Sequence, residues 1–377
     1  MPLSPKLTTR IVNNIAELGR EEWEKVFPRA LENYAFFKTL DESAFEQFSF
    51  FYIFVYEADT LAGATTGFVM DFPLDIAVNG PLKSVFGLIK KAFPRLFNIR
   101  SVFCGLPMGQ GRIGIAGDPR EVMEAINAGL EKIAGENKAA LIFFKDFNRD
   151  YDDMLRPCLA NGFSRIESFP STEMALKFSD FDGYLKTLSR ASREGLKRSL
   201  KKISESAKVG LEVKGALSDQ ELPEVYGLYL QTYNSQEMGF EKLPPDFFRN
   251  ISHNMPEETR YFLWRIDGKL AAFALCFVSG DYFVDYYLGF DYALIPRYNL
   301  YYLRFRDLMQ WCLANGIRRY EMGATSYEPK RRLGFDFIRL YYYFRHRNRF
   351  VNRFLAPLSF LVKPENFDPV FEHLKKA

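Results

Sequence analysis

Histidine is scarce in this chain of 377 residues: there are three, His253, His346 and His373, and none stands in an H-E-x-x-H or other ligand spacing. Zinc hydrolysis and a Ser-His-Asp relay both need imidazole at the reacting atoms, so neither is expected, and no metal is. Cysteine is scarce too. Cys104, Cys158, Cys276 and Cys312 lie far apart with no C-x-x-C pair, which argues against a disulfide framework and for a reducing, cytoplasmic setting. Charge of one sign is not in excess: 50 Lys and Arg against 47 Asp and Glu leave +3, too little to draw the whole chain to DNA or another polyanion. Long apolar runs are also missing. FSFFYIFVY is too short to span a bilayer as a helix, and MPLSPKLTTR holds no apolar leader core, so a soluble or at most peripheral protein is expected.

What is abundant is aromatic area, with 38 Phe and 21 Tyr, enough to fill large cores. The length favours two of them. Residues 50–70 read as two β runs joined at Ala58-Asp59-Thr60, and 261–278 repeat that plan around Asp267-Gly268, a strong hairpin signal. Each half then offers an amphipathic helix (119–135 and 299–315) and a strand (139–145 and 317–322). A Gly-Phe pair follows (Gly162-Phe163 and Gly334-Phe335), and a long closing strand (164–178 and 335–346) ends each half. Order and spacing recur together, so two copies of one α/β unit are expected, with a boundary near 178–183 and domains at 1–180 and 181–377. In the second helix Leu300, Leu303, Leu308, Trp311 and Cys312 share a face, Asn299 is placed to cap its start, and Gly316 follows its end.

Hairpin, third strand, helix, strand, short Gly-Phe turn and last strand resemble the GNAT acyltransferase fold, and two such units resemble its FemAB-like branch, which includes the peptidoglycan aminoacyltransferases. The resemblance is most specific in SRASREGLKRSLKK and in the stretch from YYLGFDYALIPRYNL to YEMGATSYEPKRRLGF. It implies an α/β (α+β) chain of two tandem GNAT-like domains, each a mixed, mostly antiparallel sheet flanked by helices. The implied activity is acyl transfer to an amino group, with acyl-CoA as co-substrate and a small molecule or cell-wall precursor as acceptor.

The resemblance places Lys330 beside the acyl carbonyl, where a cation suits a developing oxyanion. Tyr327 competes as the general acid. An attacking amine must lose a proton, and Asp285 and Glu321 are the candidate acceptors. Strand alternation puts Phe283, Asp285 and Tyr287 on one face, with Glu321 of the next strand directed into the same cleft. The pyrophosphate motif usual in GNAT enzymes is missing from the second half. At that point stand Arg297, Tyr298 and Asn299, which with Arg331 become the candidate cofactor contacts. The first half offers Gly111-x-x-Gly114-x-Ala116 as a weak phosphate loop.

A helix over 186–208 carries eight Lys or Arg against two Glu, with Arg190, Arg193 and Lys197 as candidate anion contacts. This face keeps a second reading open, an aminoacyl-tRNA-dependent transferase, with tRNA a partner that is not favoured. A third reading is a non-catalytic scaffold for an anionic ligand or membrane face. The tail 345–363 mixes arginines with Phe and Leu. It is expected to pack its apolar side chains on the second core, with peripheral membrane contact as the alternative.

Overall fold

The structure, a computed structural model, describes residues 7–28, 30–73, 98–204, 209–235, 239–358 and 370–371. The chain forms two compact units: one from Met1–Asp41, Phe45–Pro170 and Arg339–Ala377, the other from Glu42–Ala44 and Ser171–Ile338. Each holds a mixed sheet flanked by helices.

In the first unit the hairpin of β2 (Ser49–Glu57) and β3 (Thr60–Pro73) is flanked by β1 (Thr8–Val12) and β4 (Asn98–Cys104), all antiparallel. β4 runs parallel to β6 (Leu141–Phe147), and β5 (Ile113–Ile115) pairs with β3. The aromatic wealth has a visible use here. Phe68, Phe103, Phe143 and Phe344 are direct cross-strand partners on four successive strands, with ring centroids 4.8, 4.5 and 6.0 Å apart. On the other face Phe51, Ile53 and Val102 pack with Val122, Ile126 and Leu130 of a helix at Pro119–Glu136.

The second unit repeats the plan. β10 (Thr259–Ile266) and β11 (Lys269–Ser279) turn at Asp267-Gly268, where φ of +49° and +83° gives the left-handed pair a two-residue hairpin needs. β12 (Tyr282–Phe290) follows antiparallel, then a helix at Leu300–Ala314, then β13 (Arg319–Glu321) parallel to β12, while β9 (Val209–Lys214) forms an edge. Leu300, Leu303, Leu308 and Cys312 are buried as their spacing requires, with Trp311 packed partly against them. Asn299 does not cap this helix with its side chain. It adopts φ +45°, a conformation asparagine tolerates, and joins the helix to a short one at Ile295–Tyr298.

The chain passes between the two sheets twice. Each long closing strand expected from the sequence is split: β7 (Ser164–Glu167) lies in the first sheet and β8 (Ser171–Ala175) in the second, while β14 (Asp336–Ile338) lies in the second and β15 (Tyr341–His346) in the first. A single boundary near 178–183 therefore does not describe the units, whose limits fall at 170/171 and 338/339. The basic helix also differs from its expected span of 186–208, of which 205–208 lie outside the described residues. An extended Leu188 ends one helix at Phe181–Thr187, and a new one, Arg190–Ser204, starts with Ser189 Oγ accepting from Ser192 N at 3.2 Å. The tail reading for 345–363 is corrected as well, with 359–363 outside the described residues: the helix Arg349–Leu358 belongs to the first unit, not the second core, and its Phe350 and Phe354 are exposed. Among the described residues no helix is long and apolar enough to cross a membrane.

For the site, the helices are numbered in chain order: α1 Arg20–Val26, α2 Tyr34–Glu42, α3 Pro119–Glu136, α4 Asp152–Ala160, α5 Phe181–Thr187, α6 Arg190–Ser204, α7 Glu221–Ser235, α8 Pro245–Asn254, α9 Ile295–Tyr298, α10 Leu300–Ala314, α11 Tyr327–Arg332 and α12 Arg349–Leu358.

Candidate active site

β12 and β13 stay paired for three rungs, Tyr282 with Arg319, Phe283 with Tyr320 and Val284 with Glu321. β13 then stops while β12 runs on to Phe290, leaving a fork in the middle of the sheet. Just past the fork the β11–β12 register slips: Cys276 faces Asp285 but Leu275 faces Tyr287, so Tyr286 is an extra residue. A bulge of this kind reverses the alternation beyond it. Asp285 points with Phe283 toward the α10 side, whereas Tyr287 turns to the opposite side, where its hydroxyl donates to Glu241 Oε1 at 3.2 Å and its ring meets Tyr229 and Phe247. The expectation of Phe283, Asp285 and Tyr287 on one face fails for this reason.

Asp285 is buried in an ion pair. Arg304 of α10, with no exposed surface, donates from Nη1 to Asp285 Oδ2, and Tyr320 donates to the same oxygen at 3.4 Å. Nε and Nη2 of Arg304 have no protein partner. Burial opposes the charge on Arg304, but Asp285 outweighs it and holds the guanidinium above its ordinary value. Burial and then the Asp285 charge keep the Cys276 thiol and the Tyr320 phenol well above theirs, hence neutral. The sequence had a signal for Arg304 that was missed. It lies four residues from both Leu300 and Leu308, inside the buried stripe, where a charge demands a buried partner.

Glu321 shares a face with Tyr282, not with Asp285. Its carboxylate accepts from Tyr282 Oη and from Ser171 Oγ of β8. Beside it Arg319 binds Glu173 at 2.7 Å and lies over the Tyr282 ring, 4.5 Å from its centroid. The two carboxylates thus project from opposite faces of the sheet and do not converge on one cleft. Ser171 and Tyr282 were not foreseen, because only strand pairing brings them to Glu321.

After Glu321 the chain turns sharply, with φ of +60° at Gly323, +73° at Thr325 and +50° at Ser326. Left-handed conformations at two non-glycine residues in succession are uncommon and concentrate at functional sites. Lys330, from α11, is buried beneath this turn and donates from Nζ to the carbonyls of Met322, Gly323 and Ala324 at 2.8, 3.1 and 3.1 Å. Thr172 Oγ1 donates to Gly323 O as well, at 2.9 Å. An ammonium has three protons, and all three are committed. Burial pushes Lys330 down to about 7; Asp285 resists the shift, Arg304 adds to it and Glu321 resists it. Tyr327 is buried beside it, with its ring centroid 6.0 Å from Nζ and 5.6 Å from the Phe337 ring. Arg331 and Arg332 point outward and both bind Glu328, whose carboxyl they pull down to about 2. The three adjacent cations therefore divide into one internal brace and a surface cluster.

The expected cofactor contacts also divide. Tyr298 is core, Asn299 forms the left-handed joint, and Arg297 is exposed with its guanidinium 4.9 Å from the Tyr298 ring centroid. α6 packs on α10 through Leu196, leaving Arg190 and Lys197 exposed and Arg193 half-buried. In the first unit the equivalent fork, past Cys104 and Phe144, is filled by the chain itself. Gly105 N donates to Thr66 O and Gly111 N to Asp146 O, at 2.9 and 3.0 Å. A Cβ on Gly111 would lie 2.3 Å from Lys145 O, and one on Gly114 2.6 Å from Val26 O, so these glycines permit close packing of the backbone. Among the described residues no cluster of three or more His, Cys, Asp or Glu is arranged to hold a metal ion.

Two outcomes follow. Removing one partner of a buried ion pair strands the other, so Asp285→Ala should lose about 3–5 kcal/mol of unfolding free energy, and Asp285→Leu with Arg304→Met should recover much of it. Urea titration measures this; a single variant as stable as wild type contradicts the pairing. Lys330 has an ordinary value of 10.5 against about 7 in the fold, so between those pH values the unfolded chain keeps a proton the folded one has lost. Stability from this group is lowest below pH 7 and rises with pH across the window, by up to about 1.4 kcal/mol per unit. Lys330→Met should flatten that rise in urea midpoints measured from pH 6.5 to 9.5, and an equal slope in both proteins contradicts it.

Residues 190–331, within the second unit, match the family model described as acetyltransferase (GNAT) domain. FemX is similar in structure over 92% of this chain and 100% of its own, with a TM-score of 0.54 and 14% identity. A tandem GNAT protein from the clavulanic acid biosynthesis pathway is similar over 90% of this chain and 98% of its own, with a TM-score of 0.52 and 11% identity. By sequence, the putative 8-amino-7-oxononanoate synthase 2 of Mycobacterium tuberculosis (strain CDC 1551 / Oshkosh) is 24% identical over 271 residues, which are 68% of this chain and 34% of that protein. The chain thus spans about a third of the length of the curated relatives it matches. The second unit thus carries a GNAT acetyltransferase domain, and the fold of the chain is similar to those of FemX and of a tandem GNAT protein.

Proposed function

We propose that the second unit transfers an acyl group from acyl-CoA to an amino group, with the chemistry at the fork between β12 and β13. The observation that carries this is Glu321, a carboxylate at the last rung of the fork, oriented by Tyr282 and Ser171 beside a strained turn. In this reading the amine nitrogen attacks the thioester carbonyl and its proton passes to Glu321 directly or through one water. The C–S bond breaks, and the leaving sulfur takes a proton from Tyr327. Lys330, expected from the sequence to hold the carbonyl oxygen, instead positions the turn. Asp285 supports the same region from the other face through Arg304.

The N-terminal end of α10 and Arg297 would meet the donor pyrophosphate, helped by the outward cluster around Arg331. The acceptor belongs to the small amines or cell-wall precursors implied by the FemAB-like resemblance. One observation favours a second donor. The exposed Arg190 and Lys197, with Arg193, line a helix suited to a polyanion, as aminoacyl-tRNA-dependent transfer requires.

Glu321→Gln should lower kcat about 10²-fold while leaving the unfolding temperature near that of wild type. The assay is release of free thiol from acyl-CoA in the presence of amines, read with thermal stabilisation by coenzyme A and by charged tRNA. Turnover within about threefold of wild type removes Glu321 from the chemistry. Stabilisation by tRNA that falls with salt, with none by coenzyme A, transfers the assignment to the aminoacyl donor.

A further inference from the structure

α12 presents its apolar side chains to solvent. Phe350 is 81% exposed, Phe354 73% and Val351 39%, in a described set whose other large aromatics are mostly buried. The helix is not frayed. Asn348 Oδ1 accepts from Phe350 N and Val351 N at 2.9 and 3.3 Å, capping its start. Asn352 fixes its rotation: Oδ1 accepts from His346 N and Nδ2 donates to Gly162 O, both at 2.8 Å. At 100° per residue Phe350 and Phe354 each stand about 200° from Asn352, so the bonds that hold the helix down direct both rings outward. Turning the rings inward would break both bonds.

The flank of this face is basic. Arg349 and Arg353 lie one turn apart beside the phenylalanines, both are exposed, and neither has an ion-pair partner among the described residues. Next to them Arg345 and Arg347 both bind Glu131 of α3, and burial, then Arg347 and Arg349, lowers the Arg345 guanidinium below its ordinary value. We propose that α12 is a docking helix for an anionic lipid surface, with Phe350 and Phe354 entering the boundary between headgroups and acyl chains and Arg349 and Arg353 meeting the phosphates. Apolar rings flanked by cations are the arrangement such an interface selects. A second copy of the chain fits poorly. A two-fold contact through this face would set arginines against arginines with no acid on the helix to offset them.

The test uses the full chain and sedimentation with vesicles, either phosphatidylglycerol mixed into phosphatidylcholine or phosphatidylcholine alone, at low and moderate salt. Wild type should pellet with the anionic vesicles and release as salt rises. Phe350→Ser with Phe354→Ser should weaken binding tenfold or more, and Arg349→Gln with Arg353→Gln about thirtyfold at low salt, abolishing most of the salt dependence. Unfolding temperatures should stay near wild type, because these side chains are exposed. Absence of binding to anionic vesicles at low salt overturns the proposal, as does binding indifferent to both pairs of substitutions. A wild-type dimer lost in the phenylalanine variant gives this face to a second copy and overturns it too.

Discussion

A strand that ends inside a sheet leaves backbone carbonyls that its neighbour no longer serves, and burial makes such groups costly unless something else bonds them. At the end of β13 that partner is Lys330, whose three protons meet the carbonyls of Met322, Gly323 and Ala324. This brace lets the chain leave the sheet through left-handed residues, lets β12 continue alone, and so keeps the fork open. The same lysine that looks like a catalytic cation in the sequence is better understood as a replacement for a missing strand. Its low exposure and the fall in its proton affinity are what that substitution costs.

Charge is divided between the two faces of the second sheet. On the α10 side, Asp285 and Arg304 form a pair closed off from solvent, ringed by Cys276, Tyr320 and Phe283. On the other side, Glu321 accepts from the hydroxyls of Ser171 and Tyr282. That contrast is why the proposed function assigns the chemistry to Glu321 and a structural part to Asp285. It also explains why the pair of candidates could not be ranked by residue type.

Much of the architecture was legible in the sequence. The doubled order of hairpin, helix, strand and Gly-Phe follows from local patterns of period 2 and 3.6 and from turn chemistry such as Asp267-Gly268, and the structure reproduces it. What was hidden is non-local or turns on one residue. Splitting of the closing strands depends on pairing across more than a hundred residues, although Pro170, unable to donate to a ladder, marks one of the breaks. The bulge at Tyr286 adds a single residue and inverts every later side chain on β12. Arg304 was legible in principle, as a charge inside an apolar stripe. The outward Phe350 and Phe354 contradict the rule that aromatics go inside, and only Asn352, anchoring the opposite face, reveals why.

The two units share a plan but differ at the fork. Where β12 and β13 part in the second, the corresponding gap in the first is occupied by Gly105–Arg112, whose glycines admit backbone where a side chain would collide. The proposed function accordingly assigns donor binding to the second unit. Hydrogen–deuterium exchange of the full chain with and without acyl-CoA addresses this most directly. Protection of 284–290 and 320–327, with 101–111 and 141–147 unchanged, is the expected result. Protection confined to the first unit, or none in either, would contradict it.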